Sequence, residues 1–107
     1  MATYMTQVSY TSDAWAAMVK HPQDRSQMVG KAMENLGGKL LSFWMTLGDQ
    51  DGIVIYEMPD EVSAAALMMA IAAGGACKSL KTTQLLAPAQ AQKAMKKAKG
   101  TTYKPVK

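Results

Sequence analysis

Two glycine pairs, Gly37-Gly38 and Gly74-Gly75, punctuate this chain, each closing an apolar helical stripe and handing the backbone to a run rich in β-formers. A glycine just past the last helical turn can take positive φ without a side-chain penalty, so such pairs end helices rather than lie inside them. Everything between these stops must fit short helices and short strands.

Thr3 to Tyr10 alternates with a period of two, Tyr4, Thr6, Val8 and Tyr10 on one side and Met5, Gln7 and Ser9 on the other, which predicts a first strand. Thr11 or Ser12 can cap a helix carrying Ala14, Trp15, Met18 and Val19, and His21-Pro22 interrupts it. Pro22 fits an early turn of a renewed helix whose stripe is Met28, Val29, Ala32, Met33 and Leu36, ending at Gly37-Gly38. Lys39 to Leu47 and Gly52 to Met58 read as two strands joined as a hairpin by Gly48-Asp49-Gln50-Asp51. Asp60 caps a helix from Glu61 to Ala73, rich in alanine on nearly every side, and Lys78 to Leu86 gives a fourth strand. Pro88 opens a last helix that runs to Gly100. The order β-α-β-β-α-β plus a terminal helix maps onto an α+β fold: a four-stranded antiparallel sheet with its two principal helices on one face.

Such a sheet has a second face. With Phe43 and Ile55 turned to the helices, the opposite parity places Leu40, Trp44, Val54 and Tyr56 on the open face, an apolar set that water should not wash. A chain of 107 residues builds only a modest core. A second copy packed on that face would cover it, so a homo-oligomer, at least a dimer, is expected.

The formal charge of +4 suggests nucleic acid at first sight, but its distribution argues otherwise. Residues 1–87 hold six basic and eight acidic side chains, a net of −2, whereas Lys93, Lys96, Lys97, Lys99, Lys104 and Lys107 crowd a tail without an acid. The chain therefore divides into a mildly acidic body, 1–87, and a lysine-rich C-terminal helix and tail, 88–107. That tail has one aromatic, Tyr103, and no base-reading module, so neither nucleic acid nor membrane is an expected partner. The least polar run, Val62 to Ala76, falls short of the roughly 20 apolar residues a spanning helix needs. A lone Cys77 forms no internal disulfide, and the first residues show no basic n-region or apolar h-region, so a reducing cytoplasm is the expected location.

At Gly48-Asp49-Gln50-Asp51-Gly52-Ile53-Val54-Ile55-Tyr56-Glu57-Met58-Pro59-Asp60 the chain resembles the GYD-domain family, and the likeness spans roughly residues 3 to 86. The family pattern is an opening strand, a long helix ending in Gly-Gly, a strand with Phe or Tyr, then Gly-x-Tyr-Asp entering an apolar strand and Pro-Asp. Gly48 and Asp51 keep the outer positions of the short motif; Gln50 stands where the family has tyrosine, and Gly52 where a small apolar residue is usual. The resemblance implies a ferredoxin-like dimeric α/β barrel, a class that includes both enzymes and noncatalytic proteins, and it assigns no activity.

The candidate residues each have a structural and a chemical reading. Asp49 and Asp51 bracket the hairpin link and suit turn capping, proton acceptance or a cation. His21 suits a helix end or a general base. Trp44 and Tyr56, read on one sheet face, could clamp a small organic ligand or pack an interface. Cys77 has no second cysteine or histidine nearby in the sequence to complete a metal or thiol signature, and the methionines are scattered as adaptable core filler; no metal or cofactor is expected. The leading reading is a noncatalytic oligomer binding a small organic molecule in a sheet-lined cavity near Trp44 and Tyr56. Two alternatives stay open: a cofactor-independent oxygenase or isomerase using His21 or Asp51, and an interaction module recruiting an acidic partner through the tail.

Overall fold

The computed structural model describes residues 1–106. Its elements are β1 (Ala2–Tyr10), α1 (Ser12–Lys20), α2 (Ser26–Asn35), β2 (Lys39–Met45), β3 (Gly52–Met58), α3 (Glu61–Ala73), β4 (Cys77–Leu85) and α4 (Pro88–Lys99). The strands form one antiparallel sheet in the order β2-β3-β1-β4, so the expected α+β, ferredoxin-like arrangement is the one found.

Local chemistry explains most of the boundaries. Thr11 Oγ1 accepts the Ala14 N–H at 3.1 Å and starts α1, and Asp60 Oδ1 accepts the Ser63 N–H at 2.7 Å and starts α3. Pro22, expected in the first turn of the renewed helix, lies instead in the link between α1 and α2. Asp24 Oδ1 takes the Ser26 N–H at 2.9 Å, which satisfies a donor at the head of α2 and sets its start four residues later.

The two glycines that end α2 have different duties. Gly37 takes φ of +82°, and its N–H closes onto the Glu34 carbonyl. Gly38 gives room: a Cβ there would stand 2.3 Å from Met58 Sδ and 2.5 Å from the Glu57 carbonyl oxygen. The chain thus turns directly into β2 against β3.

The core occupies one end of the space between sheet and helices. Tyr4, Tyr56 and Met58 from the sheet meet Met33 of α2 and Ala64 and Leu67 of α3, all buried, with Tyr4 and Tyr56 stacked at 5.8 Å between ring centroids. Burying each of the larger of these side chains contributes about 1.5–3 kcal/mol. Only part of the methionine set serves this purpose: Met33 and Met58 are fully buried, whereas Met28, Met45, Met69 and Met95 are exposed.

The sheet parity departs from expectation. Phe43 does face the helices, but Ile55 does not: the cross-strand partner of Phe43 is Val54, and a bulge between Leu40 and Ser42 brings Leu40, opposite Tyr56, to the same side. Val54, Tyr56 and Leu40 therefore belong to the helix-facing side, and the open face carries Trp44, Ile53 and Ile55, with Met5 paired to Ile55. A one-residue change of register moves a whole strand's side chains across the sheet. Because β3 is apolar on both faces, hydrophobicity alone could not choose; the fit of Tyr56 against Tyr4, Met33 and Leu67 does.

α4 stands apart, with no buried residue. The radius of gyration is 17.2 Å and the longest dimension 57 Å, against about 13 Å for a compact chain of about this length, so the terminal helix extends from the body rather than packing on it.

Candidate functional site

The other end of the sheet–helix space is not filled. β1 contributes Thr6, Val8 and Tyr10 to its floor, β3 contributes Val54 and Tyr56, and the helices above present small residues: Ala14 and Ala17 from α1, Ala70 from α3 and Gly74 just after it. Leu67 closes the core end and Met33 stands between the two; beyond it the helices offer methyl groups and a glycine directly over the sheet, and a cavity of about 390 Å³ remains. That lies in the range of small-molecule pockets, about 300–1,000 Å³, and the lining is mainly apolar, with Met18, Val29, Phe43, Met68 and Ile71 completing the walls.

A few polar groups converge on it. The Tyr56 hydroxyl and Thr6 Oγ1 share a hydrogen bond of 2.6 Å, and Thr6 Oγ1 lies 2.9 Å from Thr82 Oγ1. Thr82 Oγ1 also donates to Met68 Sδ at 3.0 Å, which joins this network to α3. Tyr10, Cys77, Gln23 and Arg25 lie along the same cavity. Burial pushes the Tyr56 and Tyr10 phenols and the Cys77 thiol above their ordinary pKa ranges, so all three are protonated at neutral pH.

Trp44 and Tyr56, expected to share a face, lie on opposite sides of the sheet. Tyr56 is fully buried on the cavity side, while Trp44 is 64% exposed on the open side, so the two cannot clamp one ligand. Tyr56 remains at the cavity; Trp44 does not line it.

His21 ends α1, exposed, with its backbone N–H on the Ala17 carbonyl, and Asp49 is exposed in the hairpin link. Neither lines the cavity. Asp51 is a fastener: its Oδ2 accepts the Tyr10 N–H at 2.9 Å and the Trp15 indole N–H at 3.3 Å, and its own N–H donates to the Val8 carbonyl at 2.8 Å. Gln50, at the motif position where tyrosine is usual, accepts from Ser9 Oγ at 2.8 Å. The short motif thus ties the β2–β3 hairpin to the end of β1 and to α1, and fixes Tyr10, edge-on to Trp15 at 5.6 Å, beside the cavity. Asp51 holds the Tyr10 backbone, and His21, Asp49 and Asp51 form no cluster at the cavity.

Arg25, Gln23 and Cys77 were not singled out by sequence as cavity residues. A lone arginine in a helix link carries no local signal. The alanines did: Ala14 and Ala17 on α1, and Ala70 with Gly74 four residues on, put small groups on one helical side. Among the described residues no group of three or more His, Cys, Asp or Glu side chains could hold a metal ion, and no helix is long and apolar enough to cross a membrane.

A family model described as the GYD domain matches residues 4–95. None of the curated proteins matches. Among solved structures, the chain is similar to MtbAldR, with a TM-score of 0.59 and 13% identity over 80% of this chain and 53% of that one, so it spans about half of that protein. It is also similar to TTHA0845 from Thermus thermophilus, with a TM-score of 0.53 and 14% identity over 81% of this chain and 95% of that one. An uncharacterized NIPSNAP domain protein from Burkholderia xenovorans matches with a TM-score of 0.49 and 17% identity over 83% of this chain and 96% of that one. At such identities the first two likenesses speak for the fold alone.

Proposed function

The chain belongs to the GYD-domain family, and from that footing we propose that it is a noncatalytic binding protein that takes one small, mainly apolar organic molecule into the cavity between its sheet and helices. The observation that carries this reading is the cavity itself, about 390 Å³ of apolar-walled space floored by the Tyr56–Thr6 hydroxyl pair. A core of this size would gain stability by filling that space, since voids lose contacts on every wall. Binding rather than proton-transfer chemistry fits the lining: Tyr10, Tyr56 and Cys77 hold their protons at neutral pH, and His21 and Asp51 stand outside it.

The same reading includes a homodimer through the open sheet face. Met5, Trp44, Ile53 and Ile55 form its apolar centre, and Lys39, Glu57 and Lys81 frame it with both signs of charge, as a self-complementary two-fold contact requires.

The neutral fluorophore N-phenyl-1-naphthylamine tests cavity binding. Saturable enhancement is expected with the unaltered protein. Ala70→Phe, which fills the cavity from α3, should abolish it while the circular dichroism spectrum is kept, and Trp44→Asp on the far face should leave it in place. No saturable signal, or a signal indifferent to Ala70→Phe, contradicts the reading.

A further inference from the structure

The identity of the ligand can be carried one step further, resting on the cavity reading above. Among the residues lining the cavity, Arg25 alone carries a charge. It is half-buried, in the link that leads into α2, and it also lines a neighbouring outer hollow together with Tyr10, Met18, Gln23 and Phe43, so it stands where the two spaces meet. Its hydrogen bonds go to neutral atoms, Gln23 Oε1 at 3.1 Å and Met28 Sδ at 3.1 Å. The two carboxylates of this neighbourhood are engaged elsewhere: Asp24, which lines only the outer hollow, takes the Ser26 N–H, and Asp51 takes the Tyr10 and Trp15 N–H groups. The guanidinium is nevertheless near enough to the Tyr10 hydroxyl and the Cys77 thiol to favour their ionised forms.

A neutral molecule entering this cavity would strip water from the guanidinium and return at most an uncharged acceptor. An anion would compensate that loss, and the planar fork of arginine matches a carboxylate with two parallel hydrogen bonds. One cation amid apolar walls suits one negative charge; a dianionic phosphate would be left half-compensated. We infer that the ligand is a small organic monocarboxylate whose apolar body lies over Tyr56, Phe43 and Met68 and whose carboxylate is received by Arg25 where the cavity opens.

Displacement of bound N-phenyl-1-naphthylamine by matched pairs decides this: octanoate against octanamide, and 3-phenylpropanoate against 3-phenylpropanamide. Each pair differs in charge and hardly in shape. With the unaltered protein the acids should displace at concentrations about tenfold or more below the amides, the size of one charge-assisted hydrogen bond. Arg25→Gln should erase that preference while the neutral fluorophore still binds, and Arg25→Lys should restore part of it. Acids no better than amides, or a preference that survives Arg25→Gln, overturn the carboxylate inference while fluorophore binding keeps the cavity reading intact. Absence of saturable fluorophore binding in the unaltered protein removes both.

Discussion

Single atoms decide several features of this molecule. Gly38 is the sharpest: a methyl group there meets the Glu57 backbone as well as the movable tip of Met58, and backbone cannot step aside. Gly38→Ala should cost about 1–3 kcal/mol, read from chemical denaturation. Gly48 has open space around its would-be Cβ, so Gly48→Ala is the matched control and should change little. The Cys77 thiol offers a pH-dependent readout. Its pKa is raised first by burial, with Arg25 pulling the other way, so thiolate forms only above the ordinary thiol range. Alkylation by iodoacetamide should therefore lag a model thiol at pH 8, and Arg25→Gln should slow it further by removing the opposing charge; an unchanged rate in the variant would contradict the placement of Arg25 beside Cys77. The linked stability effect has a definite sign. Cys77, Tyr10 and Tyr56 all have folded-state pKa values above their unfolded values, so the folded chain holds more protons in the alkaline range. Their contribution is intact below the unfolded values of about 8.5–10 and is lost as pH rises beyond them.

Elements were legible where the chain marks its own ends. β3 from Gly52 to Met58 and α3 from Glu61 to Ala73 match their sequence-based bounds because Asp60 is a side-chain cap and Gly74-Gly75 a backbone stop, and both act locally. The start of α2 was not legible from Pro22, since the deciding bond is the Asp24 carboxylate on Ser26, two residues further along. The faces of the sheet were the largest loss. Val54 and Tyr56 alternate with Ile53 and Ile55, all apolar, and only contacts with β1 and the helices decide which pair is covered. The cavity is half-visible in the sequence: α3 is small on nearly every side, but smallness reads equally as close packing or as empty space until the opposing sheet is placed, and Ala14 of α1 reads only as part of an apolar stripe. At this scale α4 carries its own prediction. Because it has no buried residue, truncation after Ala87 should leave the far-ultraviolet spectrum β-rich and shift Tm by only a few degrees; loss of folding would mean that the arm is anchored to the body.

For the whole molecule, one sheet separates two surfaces with different uses. The helix side holds the core at one end and the cavity at the other, and the open side carries the apolar centre of the proposed dimer, with Trp44 its most exposed member. This separation predicts that assembly and binding can be broken independently. Trp44→Asp should lower the mass measured by light scattering toward 11.5 kDa, and the unaltered protein should run at twice that value; a monomer at micromolar concentration in the unaltered protein would contradict the dimer. The lysine-rich end leaves the edge strand β4 as an exposed arm, so recruitment of an acidic partner would show itself as an interaction lost on truncation with fluorophore binding retained. The most direct test of the central claim is a high-resolution crystal structure of the protein purified under mild conditions, with any co-purified molecule retained. Discrete non-protein density of the size of an organic acid is expected between Tyr56, Met68 and Arg25; a space closed by the side chains of Met18, Phe43 and Met68 would contradict the binding role.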